Sequence, residues 1–130
     1  MHVRRPISVV MKDPALELAY AASDAYRYEA ENLAVIDGLL DTLGERAEIS
    51  PLEFLKLREE LHVVLTSNRT APGVMKIMAM ADAARICRIE SGSAAKRRER
   101  RFWKKHLEKT VDELTKLLAS TLDALADEQY

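Results

Sequence analysis

Apolar residues recur along this chain at spacings of three and four, which place them on one face of an α-helix. Four stretches have this pattern and predict helices over 13–43, 51–67, 72–90 and 94–128. Gly, Pro or short polar clusters, which are typical of loops, separate the stretches. The pattern therefore predicts an all-α protein, a helical bundle of about four helices of which two are long and two are short.

Composition agrees with this prediction. Only four glycines and four prolines occur in 130 residues, alongside abundant Ala, Leu, Glu, Lys and Arg, which are strong helix formers. A chain of this length fits one packed domain over 1–130. Residues 1–12 precede the first helix and form an N-terminal arm, which either is ordered against another protomer or is a charged tail.

Three helix boundaries carry local signals. Asp13 followed by Pro14 is a good helix start, with Asp as the N-cap and Pro at the first helical position. Gly44 is typical of a helix end. Ser50 and Glu53 have the spacing of a capping box, in which each side chain accepts a hydrogen bond from the other residue's backbone amide. The first helix is thus expected to end near Gly44 and the second to begin after Ser50.

The third predicted helix is apolar on nearly every side, which favours a central position with several neighbouring helices. Three methionines within six residues favour the same core position, although such residues also line adaptable grooves for protein partners. The apolar positions are Val74, Met75, Ile77, Met78, Met80, Ile86 and Ile89.

A single cysteine, Cys87, lies in an apolar run of the third helix, so no intramolecular disulfide can form. A free cysteine is most often a small buried residue, and the absence of disulfides favours a reducing compartment. The longest apolar runs fall far below the roughly 20 residues that span a bilayer. We therefore expect a cytoplasmic protein that makes no membrane contact.

The fourth predicted helix is too long for a small bundle. At about 1.5 Å per residue it would extend roughly 50 Å, against roughly 25 Å for the second and third helices. Its second half carries residues at alternating spacings of four and three, apolar except for Thr121, as in a coiled-coil seam. This seam either packs against the long first helix or joins a second copy, and we expect a homo-oligomer assembled through it. The seam residues are Leu107, Val111, Leu114, Leu118 and Leu125.

Charge is concentrated in the first half of the same helix. The net charge of −1 hides a stretch from 94 to 106 in which seven Lys or Arg face Glu99 alone. Such a density of like charge is most easily tolerated beside an anionic partner, and nucleic acid phosphate is the commonest one. In the alternative interpretation the Arg and Lys stems cover apolar surface and the acidic remainder of an oligomer neutralises them.

We name residues 96–105 the basic segment. Phe102 and Trp103 lie within it and either stack on exposed bases or pack on the protein. The candidate nucleic-acid-binding residues are Lys96, Arg97, Arg98, Arg100, Arg101, Trp103, Lys104 and Lys105.

Two enzyme hypotheses rest on short motifs. Glu59 and His62 have the Glu-x-x-His spacing of carboxylate-bridged iron sites, and Glu29 could supply a further ligand. A second copy of the motif is missing, and no glutamate stands three residues before His106. We therefore expect no metal and no cofactor.

The stretch 36–46 resembles the first helix of the all-helical chorismate mutases. Ile36 and Asp37 begin the matching stretch, which is built mainly of leucines. Where that family places an arginine two turns before the Ile-Asp pair, this chain has Ala30, and Arg46 is one residue out of step. The resemblance implies a helical mutase whose binding arginine is absent here.

Taken together, the sequence predicts a non-enzymatic, oligomeric nucleic-acid-binding accessory or regulatory protein. Phage packaging, replication and partition systems contain such proteins, and they are named here by analogy only. The alternative is a protein-interaction adaptor or chaperone without a nucleic acid role, in which the Met-rich helix and the seam bind a client. The expected partners are a second copy of the chain, DNA or RNA at the basic segment, and in the alternative a protein client.

Overall fold

The computed structural model describes residues 13–128, and every regular element in that range is an α-helix. The predicted all-α class is therefore confirmed, whereas the predicted N-terminal arm lies outside the described residues. The helices are α1 Pro14–Tyr26, α2 Glu29–Arg46, α3 Pro51–Ser67, α4 Pro72–Ser93 and α5 Arg97–Glu128.

The predicted helix starts at Pro14 and Pro51 are confirmed by their caps. The Asp13 side chain accepts a hydrogen bond from the Leu16 amide at 3.3 Å, and Ser50 Oγ accepts one from the Glu53 amide at 3.2 Å. These bonds satisfy backbone donors that the first turn of a helix leaves without a partner. Helix α4 ends three residues later and α5 begins three residues later than the sequence pattern predicts.

The prediction of one long helix over 13–43 is wrong, because the chain breaks after Tyr26. The Arg27 amide donates to the Asp24 carbonyl at 3.2 Å and the Tyr28 amide to the Ala25 carbonyl at 3.0 Å, a three-residue spacing that tightens the last turn. Tyr28 then takes φ −120° and ψ 38°, outside the α-helical region. The bundle thus has five helices within residues 13–128.

A buried polar cluster holds this break in place. Asn32 is fully buried, and its Nδ2 donates to the Ala25 carbonyl at 2.8 Å and to Asp82 Oδ1 at 3.2 Å. Arg85 Nη2 donates to the same Asp82 oxygen at 2.8 Å, and its guanidinium lies 4.0 Å from the centre of the Tyr28 ring. The break is therefore stabilised by contacts with α4, about 50 residues away in sequence, and no local Pro or Gly marks it.

The two helix ends at the break also contact the end of α3. The Tyr26 hydroxyl donates to the Leu65 carbonyl at 2.9 Å, and burial raises the pKa of Tyr26. The Arg69 guanidinium lies 4.8 Å from the centre of the Tyr26 ring and pairs with Glu29 at 2.6 Å. The corner between α1 and α2 is thus attached to two other helices.

Gly44 is not a helix end, because α2 continues to Arg46. A Cβ added at Gly44 would lie 2.8 Å from Cε1 of Phe54, closer than real Cβ atoms come to other atoms. A side chain at this position would therefore require the ring of Phe54, on α3, to shift.

Helix α4 contacts each of the other four helices, as predicted for a helix with a central position, and α2 does so too. Cys87 is buried, which raises the pKa of its thiol. Met78 is fully buried while Met75 and Met80 are half-buried, so the Met-rich stretch belongs to the core. The short connection over 94–96 makes α5 an antiparallel neighbour of α4.

Candidate nucleic-acid interface

The basic segment occupies the start of α5 and the residue before it. All seven of its cations are exposed, and none belongs to any salt bridge formed within residues 13–128. Residues 13–128 therefore supply no acidic side chain that pairs with these cations. These cations are Lys96, Arg97, Arg98, Arg100, Arg101, Lys104 and Lys105.

Some cations of the basic segment lie on the same side of α5 as its buried leucines. Leu114 and Leu118 are fully buried. Arg100 and Lys104, which lie fourteen residues before Leu114 and Leu118 respectively, are exposed. Residues seven or fourteen apart lie on nearly the same side of a helix. The inner stripe of α5 therefore changes from apolar to cationic, and α5 carries its cations beyond the covered part of the helix.

An exposed aromatic side chain lies on the side of the basic segment that faces away from Arg100 and Lys104. Phe102 is 54% exposed, and its ring centre is 5.3 Å from that of Trp103 and 4.7 Å from that of His106, both in edge-to-face geometry. Arg98 and Lys105 stand four residues before and three residues after Phe102, so they share its face of the helix. Phe102 thus offers a half-exposed aromatic side chain between two cations.

Electrostatics reinforce the charge at this end of α5. The N-terminal end of a helix carries the positive end of the helix dipole, so cations in the first turns are disfavoured and a bound anion is favoured. Residues 107–130 carry a net charge of −4, which places the acidic end of the helix opposite the basic one. From Arg100 to Asp127 the separation is about 40 Å at 1.5 Å per residue. A polyanion would therefore be attracted to one end of α5 only.

The predicted seam forms the inner face of α5 within one protomer. Leu114 and Leu118 are fully buried, and Leu107, Val111 and Leu125 are half-buried against the same core. Helix α5 packs against α4, α3 and α2, and it does not contact α1. Of the long first helix predicted as the intramolecular partner, α5 therefore contacts only the part that forms α2, and it packs against α3 and α4 as well. Because Leu114 and Leu118 are buried in this way, a second copy would have to use another surface.

Leu122 is a core residue that the seam pattern missed. It is 6% exposed and lies four residues after Leu118. The sequence contained the signal for Leu122. Residues four apart share one side of a helix, so Leu122 continues the buried side from Leu118 as well as Leu125 does.

Two of the three candidate metal ligands pair with other side chains. His62 Nε2 lies 2.6 Å from Asp37 Oδ1, and Glu29 pairs with Arg69. Glu59 is exposed on α3. Among residues 13–128, no three His, Cys, Asp or Glu side chains gather as a metal site would require.

The stretch that resembles chorismate mutase is used for packing against α3. Arg58 Nη1 lies 2.5 Å from Asp41 Oδ1, and Arg58 Nη2 lies 3.4 Å from Asp37 Oδ1. The hydrogen bond and charge of Asp41 raise the pKa of Arg58. Asp37 and Asp41 therefore join α2 to α3.

None of the helices in the described part of the chain is apolar over a length that would cross a membrane. The chain matches no protein-family model, no curated protein and no solved structure.

Proposed function

We propose that this chain is a non-enzymatic, self-associating nucleic-acid-binding protein with an accessory or regulatory role. The observation that carries the proposal is the basic segment, with seven exposed cations that form no salt bridge within residues 13–128. By analogy alone, phage packaging, replication and partition systems are places where such proteins act.

A polymer of phosphates fits this surface better than a small anion does. The basic segment extends about 14 Å along the helix at 1.5 Å per residue. One strand of a duplex carries a phosphate about every 3.4 Å, so about four phosphates lie within that length. Several cations can then act together, whereas a single small anion would contact only one or two of them.

Phe102 favours single strands or unpaired ends over a closed duplex. Phe102 is 54% exposed and lies on the face that carries Arg98 and Lys105. An aromatic ring flanked by cations stacks on a base while the cations contact the adjoining phosphates. A duplex presents its phosphates but keeps its bases stacked on one another.

The second candidate function is a protein-interaction adaptor. The Met-rich stretch and the seam lie in the core, so a client would bind large apolar residues that other surfaces expose, and α3 exposes three of them. These are Leu52, Leu55 and Val63, exposed by 62%, 49% and 63%.

We expect the full-length protein to bind a fluorescently labelled oligonucleotide with an affinity that falls steeply as salt rises. If the cations neutralise the roughly four phosphates that fit along the basic segment, the slope of log affinity against log salt approaches about −3 for a single strand, at about −0.7 per phosphate. Fluorescence anisotropy over a series of salt concentrations measures this slope. If the protein shows no salt-dependent binding to either DNA or RNA, the nucleic acid role is rejected and the adaptor function is favoured.

A further inference from the structure

Helix α3 presents a narrow stripe of four exposed residues on the side away from the core. Leu52 and Val63 are 62% and 63% exposed, and Lys56 and Glu59 between them are also exposed. Their spacings of four, three and four place all four on one side of the helix. The buried leucines of α3, which include Leu61, lie on the other side. The stripe is thus the outward side of a helix whose inward side is already packed.

The chemistry of this stripe is self-complementary. Read in either direction it is apolar, charged, charged and apolar, and its two charges are opposite. If two copies of α3 pair antiparallel about a twofold axis, Leu52 of each copy meets Val63 of the other. In the same register Lys56 of each copy meets Glu59 of the other, which makes two ion pairs. A twofold interface requires such self-complementarity, because both copies present the same surface.

The charges also select one orientation. In a parallel pair with the same centre, Lys56 would face Lys56 and Glu59 would face Glu59. Juxtaposed like charges weaken an interface and serve to exclude wrong pairings. The stripe therefore fits a second copy in the antiparallel orientation.

A groove beside the stripe offers room for the side chains of such a copy. It has a volume of about 530 Å³ and lies between α3 and the end of α5, where Val63, Val64 and Leu125 provide its apolar lining. Lys56 and Glu59 line the same groove. A second copy that places Leu52 or Leu55 there would cover apolar surface that one protomer leaves in water.

We propose that the outward face of α3 is the self-association surface of this protein and that its occupant is α3 of a second copy, antiparallel about a twofold axis. One face of a five-turn helix is smaller than the roughly 800 Å² per partner of a standard stable interface. We therefore expect a weak dimer with a dissociation constant on the order of micromolar or above. The dimer would carry two basic segments, a consequence that rests on the proposed function, whereas the dimer itself does not.

Charge exchange tests this pairing. Sedimentation equilibrium compares four proteins. They are the wild type, Lys56→Glu, Glu59→Lys and the double variant that carries both changes. Each single variant should weaken the dimer about tenfold or more, because it replaces two ion pairs by two like-charge contacts. The double variant should return to within a few-fold of the wild type, since it restores both pairs with their signs exchanged. Lys76→Glu, at an exposed position on α4, is the matched control and should leave the dimer unchanged.

The outcomes separate this proposal from the nucleic acid role. A dimer that neither single variant weakens, or a double variant that is not restored, would overturn the antiparallel α3 pairing. A wild type that is monomeric at all concentrations would overturn it together with self-association. Thermal unfolding followed by circular dichroism should be the same for all variants, because the exchanged residues are exposed. Oligonucleotide binding is measured separately and bears on the basic segment alone.

Discussion

Leu118→Ala is expected to lower the free energy of unfolding by about 3 kcal/mol. Leu118 is fully buried among residues of the other helices, so its truncation removes apolar contacts and leaves a cavity in the core. Urea denaturation at a fixed, low protein concentration measures the loss. The expected loss is a large share of the 5–15 kcal/mol that typically separates a folded domain from its unfolded state.

This prediction separates packing within one protomer from a seam between two. If Leu118 lay at an interface between copies, its truncation would lower the sedimentation mass and leave the stability of the isolated protomer nearly unchanged. Leu52→Ala is the matched control, because Leu52 is 62% exposed and its truncation should change the stability by less than about 0.5 kcal/mol. Equal losses in the two variants would contradict the core described here.

Arg97→Glu combined with Arg101→Glu should reduce oligonucleotide affinity by at least tenfold at moderate salt. The double change takes the stretch 94–106 from +6 to +2, since each replacement alters the charge by two. Fewer phosphates are then neutralised, so fewer counterions are released on binding and the salt slope becomes shallower. Anisotropy titrations at two salt concentrations give both quantities.

Lys76→Glu combined with Lys116→Glu is the matched control for this pair. Both lysines are exposed on helices but lie outside the basic segment, and the change in net charge is the same. The control should keep most of the affinity, because the loss depends on where the charge lies. Equal losses in the two double variants would mean that only the net charge of the protein matters. Circular dichroism should show folded protein in each case, since all four residues are exposed.

Local signals in the sequence were sufficient to predict the bounds of α3 and the all-α class. Ser50 and Pro51 mark the start of α3, and its predicted end at residue 67 agrees with the structure. The break between α1 and α2 could not be predicted in this way. It depends on Asn32 bonding to Asp82 in a distant helix, and a sequence pattern carries no information about such a contact.

The candidate site also has features that the sequence predicts and features that depend on the fold. The basic segment was visible as a run of charge, and its exposure follows from its position at the start of a long helix. The inward direction of Leu114 and Leu118 was also predictable, but whether they meet another chain or the same one was not. Apolar spacing reports which side of a helix is covered, and only the fold shows what covers it.

The central claim is that nucleic acid binds at the basic segment, and the fluorescence of Trp103 tests it most directly. Trp103 is the only tryptophan of the chain, and its ring centre lies 5.3 Å from that of Phe102. Titration with a single-stranded oligonucleotide at low salt should quench its emission, and added salt should restore the emission as the complex dissociates. An oligonucleotide that leaves the Trp103 emission unchanged at saturating concentration would contradict binding at this segment.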